Sequence, residues 1–546
     1  MHDKNVYKLL KIAFIFLLFY IFLFGIGSYG LLAKDEPRYC GCALEMIENH
    51  NFIVPKFNFQ YRFDKPPLFY WLIAGSYKLF GVSEFSGRLP SAISAILLVL
   101  FTWYTTSKIL GKKCGFISAV VLATSAEYLF LGRRAATDIV LCLFFSGAMY
   151  SMYLSYFIKD IKMKIFWLIL SGIFAGFAIL TKGPIGLVLQ LFILAIFQVF
   201  RKQLDKKHIK LYFSIILIAL VISLPWFISV HLATNGEFTK TFFFTHNFER
   251  FTSVVGEHPG PVWFYFPVML LGFMPWTLFF LPGVYFLLKR IKKKTFNKFI
   301  LFNFIWTIVV FLFFSFSKTK MATYVLLLFP PLSIITGHWV CIIGKKKPIL
   351  IRRAMLFLTL VLSIGIILAS YLISRSQIVF YDRLVLLTKV ISCFAIFITF
   401  VTMLFFITKK YFLQIFYFIF LLAMIAVYLL NSYLVIYYKH VFGDLRDYAI
   451  LARKLGAKEI ISIGGYKPIL SYYGRIPVDL SENKSEQIKK IKKLLQNGND
   501  VYVIGYLSDI ENGKRKSPLK KDKDLFEKLK IIKSGRKYFI GKFVES

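Results

Sequence analysis

The sequence predicts a polytopic α-helical membrane protein of about thirteen transmembrane helices that ends in a small C-terminal α/β domain, and three observations carry that expectation. Of its 546 residues 58% are hydrophobic, with a mean hydropathy of +0.65, whereas soluble domains run to roughly 45 to 50% apolar residues. The excess is gathered into uncharged runs such as Phe14 to Leu32 and Ala354 to Ser374, each long enough to cross ~30 Å of hydrocarbon. After about Tyr438 the apolar runs shorten and charged residues alternate with them.

Taken in order, windows of ~20 apolar residues place spans starting near residues 12, 87, 114, 137, 164, 183, 210, 262, 297, 321, 352, 384 and 411. The first follows Lys4, Lys8 and Lys11 in the charge order of a signal peptide, but its apolar stretch is too long and no small-residue cleavage site follows, so it reads as a helix. Residues 1–437 form the transmembrane domain on this reading. Its first outer loop, 33–86, holds two amphipathic stretches, Glu36 to Asn49 and Leu68 to Phe80, suited to lying along the interface. A second long outer loop spans 231–262, and the two together would roof a cavity. Residues 438–546 form the α/β domain, with helices near Asp444 to Leu455 and Ser485 to Gln496, and strands at Glu459 to Ile463, Val501 to Ile504 and Tyr538 to Phe543. The chain has no phosphate-binding glycine loop and no internal repeat.

The net charge of +40 suggests nucleic acid, since a basic surplus binds phosphate backbones by counterion release. The positions of the charges argue otherwise. Clusters at Lys108/Lys112/Lys113, Lys159/Lys162/Lys164, Arg201 to Lys210, Lys289 to Lys298, Lys345 to Arg353 and Lys409/Lys410 fall in alternate loops, the pattern of cytoplasmic topology signals. The N-terminus is then cytoplasmic, and an odd number of spans puts the C-terminal domain outside. The six cysteines, Cys40, Cys42, Cys114, Cys142, Cys341 and Cys393, make no disulfide framework and no zinc spacing; Cys40 and Cys42 are too close for an unstrained bridge in most backbones.

Charges beside spans are costly, about 2.5 to 3.5 kcal/mol each at the bilayer centre, and those that persist usually line a functional cavity. Here the outer helix ends carry Asp35, Glu36, Arg38, Asp64, Lys65, Arg133, Arg134, Asp138, Lys182, Arg250, Lys318 and Lys320. Asp35 and Glu36, in DEPRY with Arg38 and Tyr39, either act as a general base and steady positive charge on a sugar ring or cap the amphipathic helix opening at Pro37. Asp64 and Lys65 in DKPP are either site residues or an interfacial ion pair, and Asp138 either joins the site or caps the fourth span. Lys182 in LTKGP, and Lys318 and Lys320 in SKTK, sit in short outer loops that the positive-inside rule disfavours. A lipid-linked phosphate would compensate them; snorkelling toward headgroups is the alternative. His246 and Arg250 lie one helical turn apart. The pattern demands no cofactor and admits one, a divalent metal ligated by His246 with Asp64 or His258.

The ordered set DEPRYCGCALEMIENHNFIVPKFNFQYRFDKPPLFYWLIAGSYKLFG, ATD at 136–138, LTKGP at 180–184, HNFERF at 246–251, PVWFYFPVMLLGFMPW at 261–276 and SKTKMATYVLLLFPP at 317–331 resembles the bacterial aminoarabinose transferase family. That family belongs to the GT-C glycosyltransferases and is related to protein O-mannosyltransferases. The likeness runs from about residue 12 to 340. It implies a GT-C fold in the bacterial inner membrane, and inverting transfer of a sugar from undecaprenyl phosphate to an outer-leaflet or periplasmic acceptor, typically lipid A. It also implies that Asp35 and Asp138 stand for the family's two aspartates, that Lys65, Arg250 and Tyr324 contact the donor phosphate, and that Arg38 and Lys182 are further cavity residues. Asp64 stands where relatives carry glutamate, and Thr245 is opposite a metal-binding histidine. A protein O-mannosyltransferase is the rival within the class. A lipid or sugar transporter would show repeats and midplane charges instead, and a non-catalytic membrane protein would use the outer carboxylates structurally.

Overall fold

The computed structural model describes residues 2–32, 34–201, 206–249, 259–293, 295–346, 349, 411–463, 465–481, 483–507, 525 and 528–543. Helices dominate it. After α1 (His2–Leu23) the chain forms α2 (Asp35–Glu48), a hairpin of β1 (Lys56–Phe57) and β2 (Gln60–Tyr61), and α3 (Leu68–Phe80). The bundle continues through α4 (Glu84–Leu110), α5 (Lys112–Ala123), α6 (Ala126–Gly132), α7 (Thr137–Phe157), α8 (Ile161–Lys182), α9 (Ile185–Arg201), α10 (Lys206–Ala233) and α11 (Glu237–Lys240). It is completed by α12 (Tyr265–Gly272), α13 (Thr277–Lys292), α14 (Lys298–Phe316), α15 (Phe329–Lys346) and α16 (Tyr411–Val441).

Among the described residues six helices are long and apolar enough to cross a membrane, or eight if each of two bent pairs is one span. The span expected near 114 is broken into α5 and α6, which meet at 68°. The one expected near 262 is likewise a bent pair, Val262–Gly272 and α13 at 116°. The spans expected near 352 and 384 lie outside the described residues. The ends of several helices are explained by local chemistry: Ser83 and Ser86 form a reciprocal capping box at the start of α4, Asp160 accepts from the Met163 amide to open α8, and Asn297 accepts from the Phe299 amide to open α14.

The bundle core is aromatic, with Phe145, Tyr150 and Trp306 buried against one another. Helices approach closely where side chains vanish: an added Cβ at Gly172 or Gly176 of α8 would sit under 3 Å from Ile218 or Ile222 of α10, the small-residue packing that substitutes for a hydrophobic drive in lipid.

Beyond α16 the chain builds α17 (Gly443–Lys454), β3 (Ile460–Ser462), α18 (Ile469–Gly474), β4 (Val478–Asp479), α19 (Lys484–Gln496), β5 (Val501–Tyr506), β6 (Leu529–Ser534) and β7 (Tyr538–Phe543). The sheet order is β4-β3-β5-β7-β6, parallel across β4-β3-β5 and antiparallel thereafter. Strand alternation divides its faces. Tyr502, Ile504, Tyr538 and Ile540 pack on α17 together with Tyr29 and Leu32 of the N-terminal region, while Val501, Val503, Phe539 and Phe543 pack around Ile491 of α19. The sheet is thereby seated on the end of the bundle that carries α2 and the β1-β2 hairpin. Asn58, in the left-handed turn of that hairpin, donates to the Val478 carbonyl at 2.7 Å and accepts from its amide at 2.8 Å, so its amide group serves as one more strand residue beside β4.

Candidate functional site

The site rests on a buried ion pair. Arg88 and Glu36 are both fully buried, and Arg88 Nε and Nη2 donate to the Glu36 carboxylate at 2.9 and 2.7 Å. Arg88 also donates to the carbonyls of Ile26, Tyr29 and Gly30, while Glu36 accepts from the amides of Leu32 and Ala135. Four stretches of chain, those following α1, opening α2, within α4 and preceding α7, are joined at this point. Burial would raise the Glu36 carboxyl, but Arg88 and these hydrogen bonds hold it below its ordinary value. The expectation that Glu36 acts beside Asp35 as a catalytic carboxylate is thus corrected. All four of its bonds are to protein and none of its surface meets solvent, so it fixes the direction in which Asp35, one residue earlier, leaves the helix.

Asp35 is half exposed and accepts from Arg38 Nη2 at 2.5 Å, one turn along α2; Arg38 Nε is held by the Lys34 carbonyl. Next to this pair lies a second one. Arg62, which follows β2, donates from Nε and Nη2 to the two oxygens of Asp64 at 2.6 and 2.7 Å. Burial pushes the Asp64 carboxyl up, but Arg62, with Lys65 and Arg38, holds it well below the usual carboxylate range. Tyr39 packs edge-on to Phe69 and carries the Arg62 guanidinium 5.4 Å from its ring. Its hydroxyl pKa is raised by burial and further by Asp35, Asp64 and Asp138. Tyr39 itself is buried, so its evident work is to support Arg62.

A cavity of about 420 Å³ opens beside this cluster. It is lined by the polar side chains of Asp64, Lys65, Asp138, Lys182, Thr323 and Tyr324, and by Leu141, Ile185, Val188, Leu189, Phe242, Phe313 and Leu327, among others. Both expected loops contribute, 33–86 through Asp64 and Lys65 and 231–262 through Phe242 and Phe243. Lys182 donates to Asp138 at 2.6 Å, with its ammonium 4.5 Å from the Tyr324 ring. Asp138 lies in the first turn of α7 without capping it. Lys182 is delivered by the turn at its helix end: Gly183 adopts φ 84°, ψ −159°, a region essentially reserved for glycine, and Pro184 then opens the way to α9.

Other expected residues do not converge here. Lys320 is buried with its ammonium donating to the carbonyls of Phe314, Ser315 and Ser317; it satisfies the exposed end of α14, which corrects its assignment to substrate binding. Lys318 is exposed and does not line the cavity. Arg250 and the side chain of His246 lie outside the described residues. Among the described residues no three histidine, cysteine or carboxylate side chains form a metal-binding group, and both Asp64 oxygens are engaged by a guanidinium. The other expected ligands, the His246 side chain and His258, lie outside the described residues.

Arg62 and Tyr466 were not anticipated. Arg62 had a signal, since residues i and i+2 of an extended segment share a face and YRFD puts an arginine two before Asp64. Tyr466, which stands over Arg38, had none, being some 430 residues away in sequence.

Comparison with known proteins gives this geometry a context. Residues 64–228 match the family model of dolichyl-phosphate-mannose-protein mannosyltransferases. The chain is 30% identical over 336 residues to an undecaprenyl phosphate-alpha-4-amino-4-deoxy-L-arabinose arabinosyl transferase of Shewanella sediminis, covering 62% of this chain and 60% of that one. A transferase of the same name from Erwinia tasmaniensis is also 30% identical, covering 61% and 60%. The matches thus span about three fifths of these curated relatives. In fold the likeness extends over the whole length: ArnT from Cupriavidus metallidurans, solved bound to undecaprenyl phosphate, superposes with a TM-score of 0.80 at 18% identity, covering 100% of this chain and 99% of that one. The chain is thus similar to the aminoarabinose transferases over part of their length and shares the fold of the Cupriavidus protein. The cavity residues Asp64 to Lys182 fall inside the stretch matched by the mannosyltransferase model.

Proposed function

We propose that this protein is an inverting glycosyltransferase of the GT-C type that moves a sugar from undecaprenyl phosphate to an outer-leaflet or periplasmic acceptor, most simply lipid A. One observation carries the reading: a single cavity is lined both by lysines and carboxylates and by aliphatic and aromatic side chains. An amphipathic donor needs both, apolar walls for its prenyl chain and ammonium groups where its phosphate emerges. The names of the Shewanella and Erwinia relatives, and the lipid bound by the Cupriavidus protein, support the same substrate class.

In this mechanism Lys65, Lys182 and Tyr324 hold the donor phosphate, with Arg250 as a further contact. An acceptor oxygen attacks the anomeric carbon from the face opposite the phosphate; the new C–O bond forms as the bond to the phosphate oxygen breaks. Undecaprenyl phosphate leaves as an anion stabilised by those lysines and needs no general acid. Asp35 and Asp138 steady the oxocarbenium character of the sugar, and with a hydroxyl acceptor Asp35 also takes its proton. A lipid A phosphate is ionised already and has none to give. The proposal includes about thirteen spans, a cytoplasmic N-terminus, and residues 438–546 as a periplasmic α/β domain above a transmembrane unit of residues 1–437, as the charge pattern of the sequence suggests.

The test is transfer of labelled sugar from undecaprenyl-phosphate donors to lipid A by purified protein in liposomes. Glycolipid product is expected, and no product with any donor sugar would remove the proposal. Asp35→Asn should abolish transfer to a hydroxyl acceptor but only slow transfer to a phosphate; equal loss with both would refute that division of roles. Because residues 64–228 match protein mannosyltransferases, a polypeptide acceptor forms the second arm of the assay.

A further inference from the structure

The loop between β3 and α18 brings Tyr466 from the C-terminal sheet to Lys34 and Arg38 at the start of α2. Its base is anchored: Lys467 donates to the Ile463 carbonyl at 2.8 Å and stands over the rings of Tyr506 and Tyr538 at 4.5 and 5.7 Å, and Ser462 donates to the Gly465 carbonyl. Tyr466 projects from this support. Its ring lies 5.6 Å from the Lys34 ammonium and 5.6 Å from the Arg38 guanidinium, within the range of cation–π attraction. Arg38 is also held through Nε by the Lys34 carbonyl and through Nη2 by Asp35. Burial raises the Tyr466 hydroxyl pKa while Arg38 and Arg62 counter it, so the side chain is half enclosed among the cations of the site.

Resting on the glycosyl-transfer reading, we propose that Tyr466 is a positioning residue supplied by the C-terminal sheet: its ring covers Arg38 and Lys34, and so holds the Arg38–Asp35 pair in register with the cavity. Exposed ion pairs on long side chains hold geometry poorly, because rotamer entropy opposes a single arrangement. A flat ring across the guanidinium removes much of that freedom. The sheet unit would then be part of the reaction apparatus, although it lies far from the transmembrane motifs in sequence.

The test is a kinetic double-mutant cycle on the full-length protein in liposomes. Tyr466→Ala is expected to lower kcat by about three- to ten-fold, the scale of one partly exposed cation–π contact, with donor KM little changed because Lys65 and Lys182 are untouched. Tyr466→Phe keeps the ring and should restore most of the loss. The double variant Arg38→Ala with Tyr466→Ala should be no slower than Arg38→Ala alone. Wild-type kcat in Tyr466→Ala, failure of phenylalanine to rescue, or losses that multiply in the double variant would each overturn the role. In all three cases wild-type transfer persists, so they are distinct from absence of transfer in the wild type, which would remove the reading beneath it as well.

Discussion

Replacing Glu36 by glutamine tests whether the buried pair is the foundation of the site. The carboxylate accepts four hydrogen bonds, from Leu32 N, Ala135 N, Arg88 Nε and Arg88 Nη2. A glutamine offers one oxygen with two lone pairs, so two of the four donors would face an amide NH2 group. A stranded buried donor costs roughly 1 to 3 kcal/mol, and removing one partner of a buried ion pair about 3 to 5 kcal/mol. These describe the same event, so a loss of about 3 to 5 kcal/mol is expected, a large part of a typical stability of ~5 to 15 kcal/mol. Replacing Arg88 instead would be no milder, because the carbonyls of Ile26, Tyr29 and Gly30 would lose their donor too. Denaturant unfolding of the detergent-solubilised protein measures the difference. Acidification gives a second reading. The Glu36 carboxyl is lowered in the fold, so its stabilisation is complete above the unfolded value of about 4.3 and fades as pH falls through the folded one; the glutamine variant should lack that component. A glutamine variant within about 0.5 kcal/mol of wild type, the spread of inconsequential surface changes, would refute the reasoning.

Three further outcomes follow from the same geometry. Gly183→Ala puts a side chain where φ and ψ admit glycine alone, at a cost of about 1 to 3 kcal/mol, and should raise donor KM by displacing Lys182, as steady-state kinetics would show. Asp138→Asn frees the Lys182 ammonium for the donor phosphate while removing a carboxylate from the reacting carbon, so kcat should fall and donor KM should fall with it; a raised KM would contradict the pairing. Arg62→Gln withdraws the charge that opposes burial of Asp64, so its pKa rises, and the acidic limb of the kcat/KM profile should move to higher pH.

Much of the fold was legible because lipid imposes simple rules. A run of apolar residues must be a helix where no water can satisfy the backbone, and the observed starts of α4, α7, α8, α9 and α14 lie close to the windows that hydropathy picks out. The break between α5 and α6 was not legible, since Thr124 and Ser125 interrupt neither charge nor hydropathy enough to show it. In the sheet, β5 and β7 coincide with apolar runs, whereas β4 has two residues and β6 is largely exposed, so neither carries a burial pattern.

The candidate site divides in the same way. Asp35, Lys65, Asp138 and Lys182 could be singled out by sequence alone, because a charge at a helix end beside the membrane is expensive and calls for a reason. Sequence could not separate Glu36 from Asp35, or Lys182 from Lys320: neighbouring residues of one chemistry part company only when packing decides which finds a buried partner and which faces open space. Glu36 turned to Arg88, Lys320 turned to the carbonyls ending α14, and Asp64 was claimed by Arg62. Local sequence determines which groups resist burial; what neutralises each one depends on chain segments brought together from tens to hundreds of residues apart, and only the tertiary structure specifies that.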